Sequence, residues 1–516
     1  MKRRTFIQTG SLITLPILLR GMEVSAISRS SLMDIIDPDS DKILILVQLN
    51  GGNDGLNTFI PIDQYTNLSK VRSSIMIPES SVLKANDTIG FHPAMTGFKG
   101  LYDEGKMAVV QGVSYPNQNR SHFRSTDIWS SASDAEDYVS SGWLGRYLDV
   151  NYPGFPEDYP NDENPDPFAI TIGSILSETC QGPSSNFSYA VSSSNIYYLN
   201  ETEEGIVDST CYGMELQFVR NTVKQSNQYS TVVTTAFDIG GNTVTYPEDN
   251  RLAAQLKIVA NLISGGLKTK IYITNLGGFD THANQVVGGD TLIGEHSLLL
   301  QELSDAITAF QHDIDQAGFG EKVVGMTFSE FGRRIKANDS FGTDHGTAAP
   351  LFVFGNCVNS GVFGENAQIS DNVDDQEGVA LQNDFRSVYA SILMDWFGAD
   401  KSQVEDILFK EFQYIPLLKN CSTTNATQDN LSLIIDATLS PNPSAGLSQL
   451  SFTSEGGLTS IEIYNVAGAR MKTIMNRRLT KGDHTIPLEL FDLSSGQYFV
   501  RLEEGRRNKT LKLVLL

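Results

Sequence analysis

The sequence predicts an α/β body, a mostly parallel sheet with helices on both faces, followed by a C-terminal β-sandwich. Three observations carry this reading. Nearly continuous apolar runs recur, such as Ile43-Leu44-Ile45-Leu46-Val47, and a strand buried on both faces has this pattern rather than a strict alternation. Between the runs lie segments whose apolar residues return at three- and four-residue steps, which puts one apolar stripe on a helix. After Cys421 the pattern becomes short alternating strands separated by turns, as in a small sandwich.

Residues 1–26 read as a signal peptide. Met1-Lys2-Arg3-Arg4-Thr5-Phe6-Ile7 is a charged start, Leu12 to Leu19 an apolar stretch, and Val24-Ser25-Ala26 a small-residue cleavage site. Arg3-Arg4 gives it a twin-arginine-like character; an ordinary Sec signal shares the other features. Export is expected either way. The apolar stretch falls short of the roughly 20 residues a membrane span needs, and no later segment is apolar enough to predict a transmembrane helix.

The body is expected over 41–420. Its strands are 42–49, 107–113, 270–276 and 322–328, with a candidate fifth at 351–354. One helix carries Leu252, Leu256, Val259 and Ile263 ahead of Gly265-Gly266. A longer one carries Leu300, Leu303, Ile307, Phe310 and Ile314 and stops at Gly318. Strand, helix and strand in series imply parallel pairing with crossovers. Residues 152–167, rich in Pro, Asn, Asp and Glu, read as a surface loop. A polar linker is expected over 421–436, and the sandwich over 437–516.

The chain has 61 acidic and 38 basic residues and a net charge of −23. Phosphate backbones need a basic surface, so nucleic acid is excluded as a partner. A small anionic substrate is not, because a bound cation reverses the local sign. Cys180, Cys211, Cys357 and Cys421 form no C-x-x-C pair, which argues against thiolate metal ligation. Export permits disulfides. Cys180 with Cys211 is the most local pairing, but the sequence leaves three connectivities open.

Two loops concentrate the chemistry. Gly277-Gly278-Phe279-Asp280-Thr281-His282 and Gly342-Thr343-Asp344-His345-Gly346 each join a carboxylate to an imidazole among glycines. These are the ligands a divalent cation takes, and glycine lets the backbone approach closely. Asn50-Gly51-Gly52-Asn53-Asp54-Gly55 is a third such loop. Asp54, Asp280, His282 and Glu330 all fall just after an expected strand end, where open α/β sheets build their sites.

The tail resembles the type A sorting domain of the type IX secretion system of Bacteroidota. The matching blocks are Leu439-Ser440-Pro441-Asn442-Pro443, Ile463-Tyr464-Asn465 then Gly468, Leu493 with Gly496-Gln497-Tyr498, and the last strand with Lys512. The resemblance implies the type IX secretion machinery as a partner, export through the periplasm, and release or attachment at the outer cell surface.

From about Ile43 to Gly398 the body resembles the exported family called domain of unknown function 1501, a relative of sulfatases and alkaline phosphatases. The resemblance rests on the three glycine loops, Phe91-His92-Pro93, Asn119-Arg120-Ser121-His122-Phe123, Ser329-Glu330-Phe331-Gly332-Arg333 and Asp384-Phe385-Arg386. It implies an alkaline-phosphatase-like sheet with a carboxylate after the first strand, a nucleophile on a following helix and two Asp/His clusters holding two divalent cations. By order, Asp54 is that carboxylate and Ser121 the candidate nucleophile. Asp280 with His282 suits one metal cluster, and Asp344 with His345 the other. His122 is a ligand or general acid, Arg333 a clamp on substrate oxygens, and Glu330 a further ligand or a partner orienting a histidine. Simpler roles stay open: Ser121 as a helix cap, Asp54 in a turn, Arg333 paired with a structural carboxylate.

The sequence departs from the superfamily pattern. Its cluster reads Asp-x-His rather than Asp-x-x-x-His, and after His345 only His484 in the tail remains. The cysteine context that becomes formylglycine in sulfatases is absent. The expected function is therefore an exported metal-dependent hydrolase of phosphate or sulfate esters, acting on a small anionic ester or a sulfated or phosphorylated glycan. Zinc, calcium and magnesium are all candidate cations. The alternative is a non-catalytic cell-surface binding protein that keeps the fold and a residual metal site.

Overall fold

The computed structural model describes residues 41–192, 210–410, 412–419, 421 and 437–515, the last apart from 455, 457, 466–469, 492 and 505–506. The expected signal peptide lies outside the described residues, as does the expected linker apart from Cys421. The chain forms two compact units, Met1–Cys421 and Ser422–Leu516. No helix of the described residues is long and apolar enough to cross a membrane.

The first unit is built on one nine-stranded sheet. Its strands are β1 (Ile43–Asn50), β2 (Met107–Ser114), β3 (Ala169–Ile172), β4 (Ser188–Val191), β5 (Ile271–Gly277), β6 (Val323–Ser329), β7 (Ala349–Phe354), β8 (Gly361–Phe363) and β9 (Asn383–Asp384). They lie in the order β8-β2-β7-β6-β1-β5-β3-β4, with β9 beside β2. β1 is central and pairs in parallel with β5 and β6. The candidate fifth strand, β7, runs antiparallel to both β6 and β2. No crossover helix lies between Ser329 and Ala349, and a parallel return would need one.

Alternate residues of β1 serve opposite faces, as the pleat requires. Ile43, Ile45, Val47 and Leu49 join a core with α3 (Arg251–Ser264) and α4 (Glu295–Gln316), and the C-terminal part of α2 (Cys211–Ile239) packs there too. Leu44 and Leu46 face a second core with α1 (His122–Ser131) and α5 (Phe385–Ser391). Both faces are covered, so the central strand carries almost no polar residue.

The second unit holds a three-stranded and a four-stranded antiparallel sheet. Leu450, Phe452 and Leu488 of the first sheet and Ile461, Ile463, Val500 and Leu513 of the second share one buried core. This is the expected sandwich.

Cys357 and Cys421 form a disulfide with Cα atoms 5.4 Å apart, whereas Cys180 is a buried free thiol. The most local pairing is thus not formed: Cys180 is enclosed in the core beside Trp143 and Phe187. The disulfide ties the end of the first unit back to the turn after β7. Its cysteines are 64 residues apart, and closing such a loop restrains the unfolded chain by up to about 4 kcal/mol. A Cys357→Ser/Cys421→Ser variant is expected to lose about 2–4 kcal/mol in chemical denaturation, and reductant is expected to lower the parent by the same amount while leaving the variant unchanged.

Candidate metal centre

Strand register places the loops. Asn50 of β1 pairs with Gly277 of β5, and Leu49 pairs with Ser329 of β6. Loops 51–54, 278–282 and 330–333 therefore leave the sheet side by side at its carboxyl edge. A bridge between Asn53 and Gly332 joins two of them, and a bridge between Arg333 and His345 brings in the fourth loop. Gly51 sits at φ 124°, a conformation that disfavours any side chain. A Cβ there would lie 2.2 Å from the Asp280 backbone nitrogen, so the first two loops meet only because this residue is glycine.

His122, Asp280 and His345 offer ligand atoms that all lie within 4.8 Å of one another. Asp280 Oδ1 is 3.1 Å from His345 Nε2 and 3.2 Å from His282 Nε2. Its Oδ2 is 3.5 Å from His122 Nε2. His282 Nε2 and His345 Nε2 are 3.0 Å apart. Three imidazoles thus turn the same nitrogen toward one carboxylate.

The opposite nitrogen of each ring is held from behind. His122 Nδ1 lies 2.7 Å from Glu330 Oε1, His282 Nδ1 3.0 Å from Asp344 Oδ1, and His345 Nδ1 2.9 Å from the Arg120 carbonyl. Ionised carboxylates and carbonyls only accept, so each Nδ1 carries the hydrogen and donates it. In the neutral rings every Nε2 then presents a lone pair inward. Backing partners of this kind fix the tautomer and orientation of metal-binding histidines. Two facing lone pairs 3.0 Å apart repel unless a proton or a cation lies between them. The donor set therefore fits a divalent cation.

Electrostatics sharpen this. The hydrogen bond to Glu330, helped by its charge and that of Asp280, holds His122 above the usual imidazole range against the effect of burial. Burial lowers His345 in spite of its bond to Asp280. Burial alone would raise Asp280, but its bonds to Arg333 and His345 and the guanidinium charge outweigh it, so the carboxyl lies below its ordinary range.

The other candidates take different places. The two Asp/His pairs, expected to serve two clusters, lie in a single network, because the bridge from Arg333 lays His345 against the loop of Asp280. Glu330 is 2% exposed and stands behind His122, its Oε1 also accepting from the Gly51 backbone nitrogen at 2.8 Å. Ser121 occupies the N-cap position of α1 without a capping side-chain bond, and its side chain is exposed beside His122.

Arg333 is not free to clamp a substrate. Its side chain is fully buried and donates to the carbonyls of Gly51, Gly52, Phe279 and Thr343 and to Asp280 Oδ1. Asp54 is likewise enclosed. Arg72 Nη1 reaches its Oδ1 at 3.1 Å, and Gln285 Nε2 donates to its Oδ2 at 2.5 Å. Burial would raise Asp54, but the charge of Arg72 with these bonds holds it below its ordinary range.

Arg72, Gln285 and His296 were not legible as site residues. Arg72 ends a polar helical turn, and Gln285 lies in an irregular loop. His296 is 2% exposed and meets Asn53 Oδ1 at 3.1 Å. The spacing of three from Leu299 was the signal available, since it puts His296 on the buried stripe.

Burial lowers His296 from 6.5 to about 4 and His92 to about 3. Both folded values lie below the unfolded one, so the unfolded chain takes up protons first on acidification. Their contribution is complete above pH 6.5 and is lost as pH falls toward 4. For His296 it is on the order of 3 kcal/mol. Urea denaturation at pH 7 and pH 4.5 is expected to show the drop, and a His296→Gln variant a shallower one. The depressed carboxylates act only at lower pH; within this window His345, lowered, adds to the drop and His122, raised, opposes it.

Residues 250–396 match a family described as "Protein of unknown function (DUF1501)". Residues 438–516 match "Secretion system C-terminal sorting domain". No curated protein matches. Among solved structures, the lipoteichoic acid synthase LtaP of Listeria monocytogenes is 10% identical with a TM-score of 0.32, covering 87% of this chain and 90% of that one. A protein of the alkaline phosphatase superfamily from Vibrio parahaemolyticus is 8% identical with a TM-score of 0.30, covering 92% and 82%. BT1596, a 2-O GAG sulfatase, is 6% identical with a TM-score of 0.32, covering 91% and 84%. The segment that carries the two Asp/His loops thus matches the DUF1501 family of unknown function, and residues 438–516 match a type IX sorting domain that marks the protein for export and for release or attachment at the outer surface.

Proposed function

We propose that this protein is an exported metal-dependent hydrolase of phosphate or sulfate esters. The observation that carries the reading is the convergence of three imidazole Nε2 atoms on the Asp280 carboxylate at an accessible spot. His122, His282, His345 and Asp280 would hold the cation. Nitrogen-rich donors favour zinc over calcium or magnesium, which take oxygen. A divalent cation supplies a Lewis acid that withdraws charge from an ester oxygen.

The chain's own residues do the rest. Glu330, Asp344 and the Arg120 carbonyl hold the three rings in the ligating tautomer. Ser121, exposed at the start of α1 and one residue from His122, is the group we assign to attack on the ester. Phe123, two residues further along the chain, is 91% exposed and offers an apolar surface suited to an organic leaving group.

The chelator-free protein is expected to contain one divalent cation per chain by elemental analysis, because the candidate ligands of the described residues form one cluster. Asp280→Asn and His345→Ala are expected to lose it. Ser121→Ala is expected to keep the cation and lose at least about 100-fold in turnover of an aryl phosphate or aryl sulfate. The alternative, a binding protein with a residual metal site, draws on the enclosure of Asp54 and Arg333. Bound metal with no turnover of either ester favours it.

A further inference from the structure

Arg120 and Arg334 flank the imidazole cluster, and neither side chain offers a ligand to a cation. Arg120 passes its carbonyl to His345 Nδ1 at 2.9 Å, which fixes its backbone directly behind that ring. Arg334 donates from Nη1 to Asp344 Oδ2 at 3.0 Å, and the other oxygen of the same carboxylate takes His282 Nδ1. The two side chains then run to the same place. Arg120 Nη2 donates to the carbonyl of Gln376 at 2.9 Å, and Arg334 Nη1 reaches the carbonyl of the preceding residue, Asp375, at 3.4 Å. Two guanidiniums are thus drawn onto consecutive peptide carbonyls beside the cluster.

Their ion pairing differs. Among the described residues Arg120 forms no ion pair, and Asp375 is paired with Lys336 at 2.6 Å. Arg334 has only Asp344, which also serves His282. An arginine without a carboxylate partner stands out on a chain whose net charge is −23, where a surface arginine would ordinarily find one. A guanidinium has five N–H donors in a planar fork, and Arg120 uses one of its terminal nitrogens for Gln376. Arg333, the arginine the motifs single out, has none to offer.

We propose that Arg120 and Arg334 form a subsite for a tetrahedral oxyanion, the phosphate or sulfate group of the substrate, with Arg120 its principal contact. This rests on the hydrolase reading for the identity of the substrate, but the anion site is testable by itself. The fork geometry matches two oxygens of such a group.

The test is calorimetric titration of inorganic phosphate, and separately of inorganic sulfate, into the full-length metal-loaded protein. The parent is expected to bind at least one of the two, and comparison of their affinities separates phosphate from sulfate chemistry. Arg120→Gln is expected to weaken binding at least about tenfold, with metal content and melting temperature unchanged, because the carbonyl that orients His345 is retained. Arg120→Lys is expected to restore part of the affinity. A parent that binds neither anion, or an Arg120→Gln protein that binds as the parent does, overturns the inference. Ester turnover that survives either of those results leaves the hydrolase reading standing. Arg120-dependent anion binding without metal or turnover sinks that reading and keeps the subsite.

Discussion

A single buried guanidinium pins the loops at the carboxyl edge of the sheet. Arg333 donates to two carbonyls of the first glycine loop, to a carbonyl and a carboxylate of the second, and to a carbonyl ahead of the Asp344/His345 pair. These segments are far apart in sequence and irregular in structure, so their carbonyls have no ladder to pair with. Left unbonded and buried, each would cost on the order of 1–3 kcal/mol. Arginine satisfies them at once because its donors radiate in a plane. The same contact holds Asp280 ionised and fixes where its free edge faces.

Beneath that pin lies a second polar layer. Asp54 bridges Arg72 and Gln285, while Gln285 Oε1 accepts from Thr343 at 2.8 Å and Arg72 reaches the carbonyls of Ile335 and Arg334. His296 closes the layer through Asn53. Buried networks of this kind are costly unless every member is satisfied, and when satisfied they specify one arrangement. Rigid support matters here because the cluster above is exposed: Asp280 keeps 48% of its side-chain surface. Without a fixed floor the three imidazoles would repel and separate.

Much of this was legible in the sequence, and the exceptions are instructive. The apolar runs of β1, β2, β5 and β6 could be read because a strand covered on both faces has no choice of composition. The direction of β7 could not, since an apolar tetrapeptide carries no sign of which way it runs. The loops that bear Asp280, His282, Asp344 and His345 stood out because acid, imidazole and glycine rarely occur so densely without a purpose. Asp54 looked like their equal, yet its role turns on Arg72, a residue with nothing around it to suggest a buried partner. Arg333 was correctly conspicuous and wrongly oriented: sequence shows that a guanidinium is present and not which way it points.

By itself, then, the sequence determined the layers of the body, the sandwich that follows them, the export tail and the ionisable residues of the glycine loops. Those are properties of local pattern and composition, written in the order of side chains. Tertiary structure alone decided that two Asp/His pairs make one cluster, that His122 completes it, and that two prominent charged residues lie beneath it as support. Which polar groups meet, and which are closed off from water, depends on the register of strands more than two hundred residues apart, and no local pattern encodes that distance.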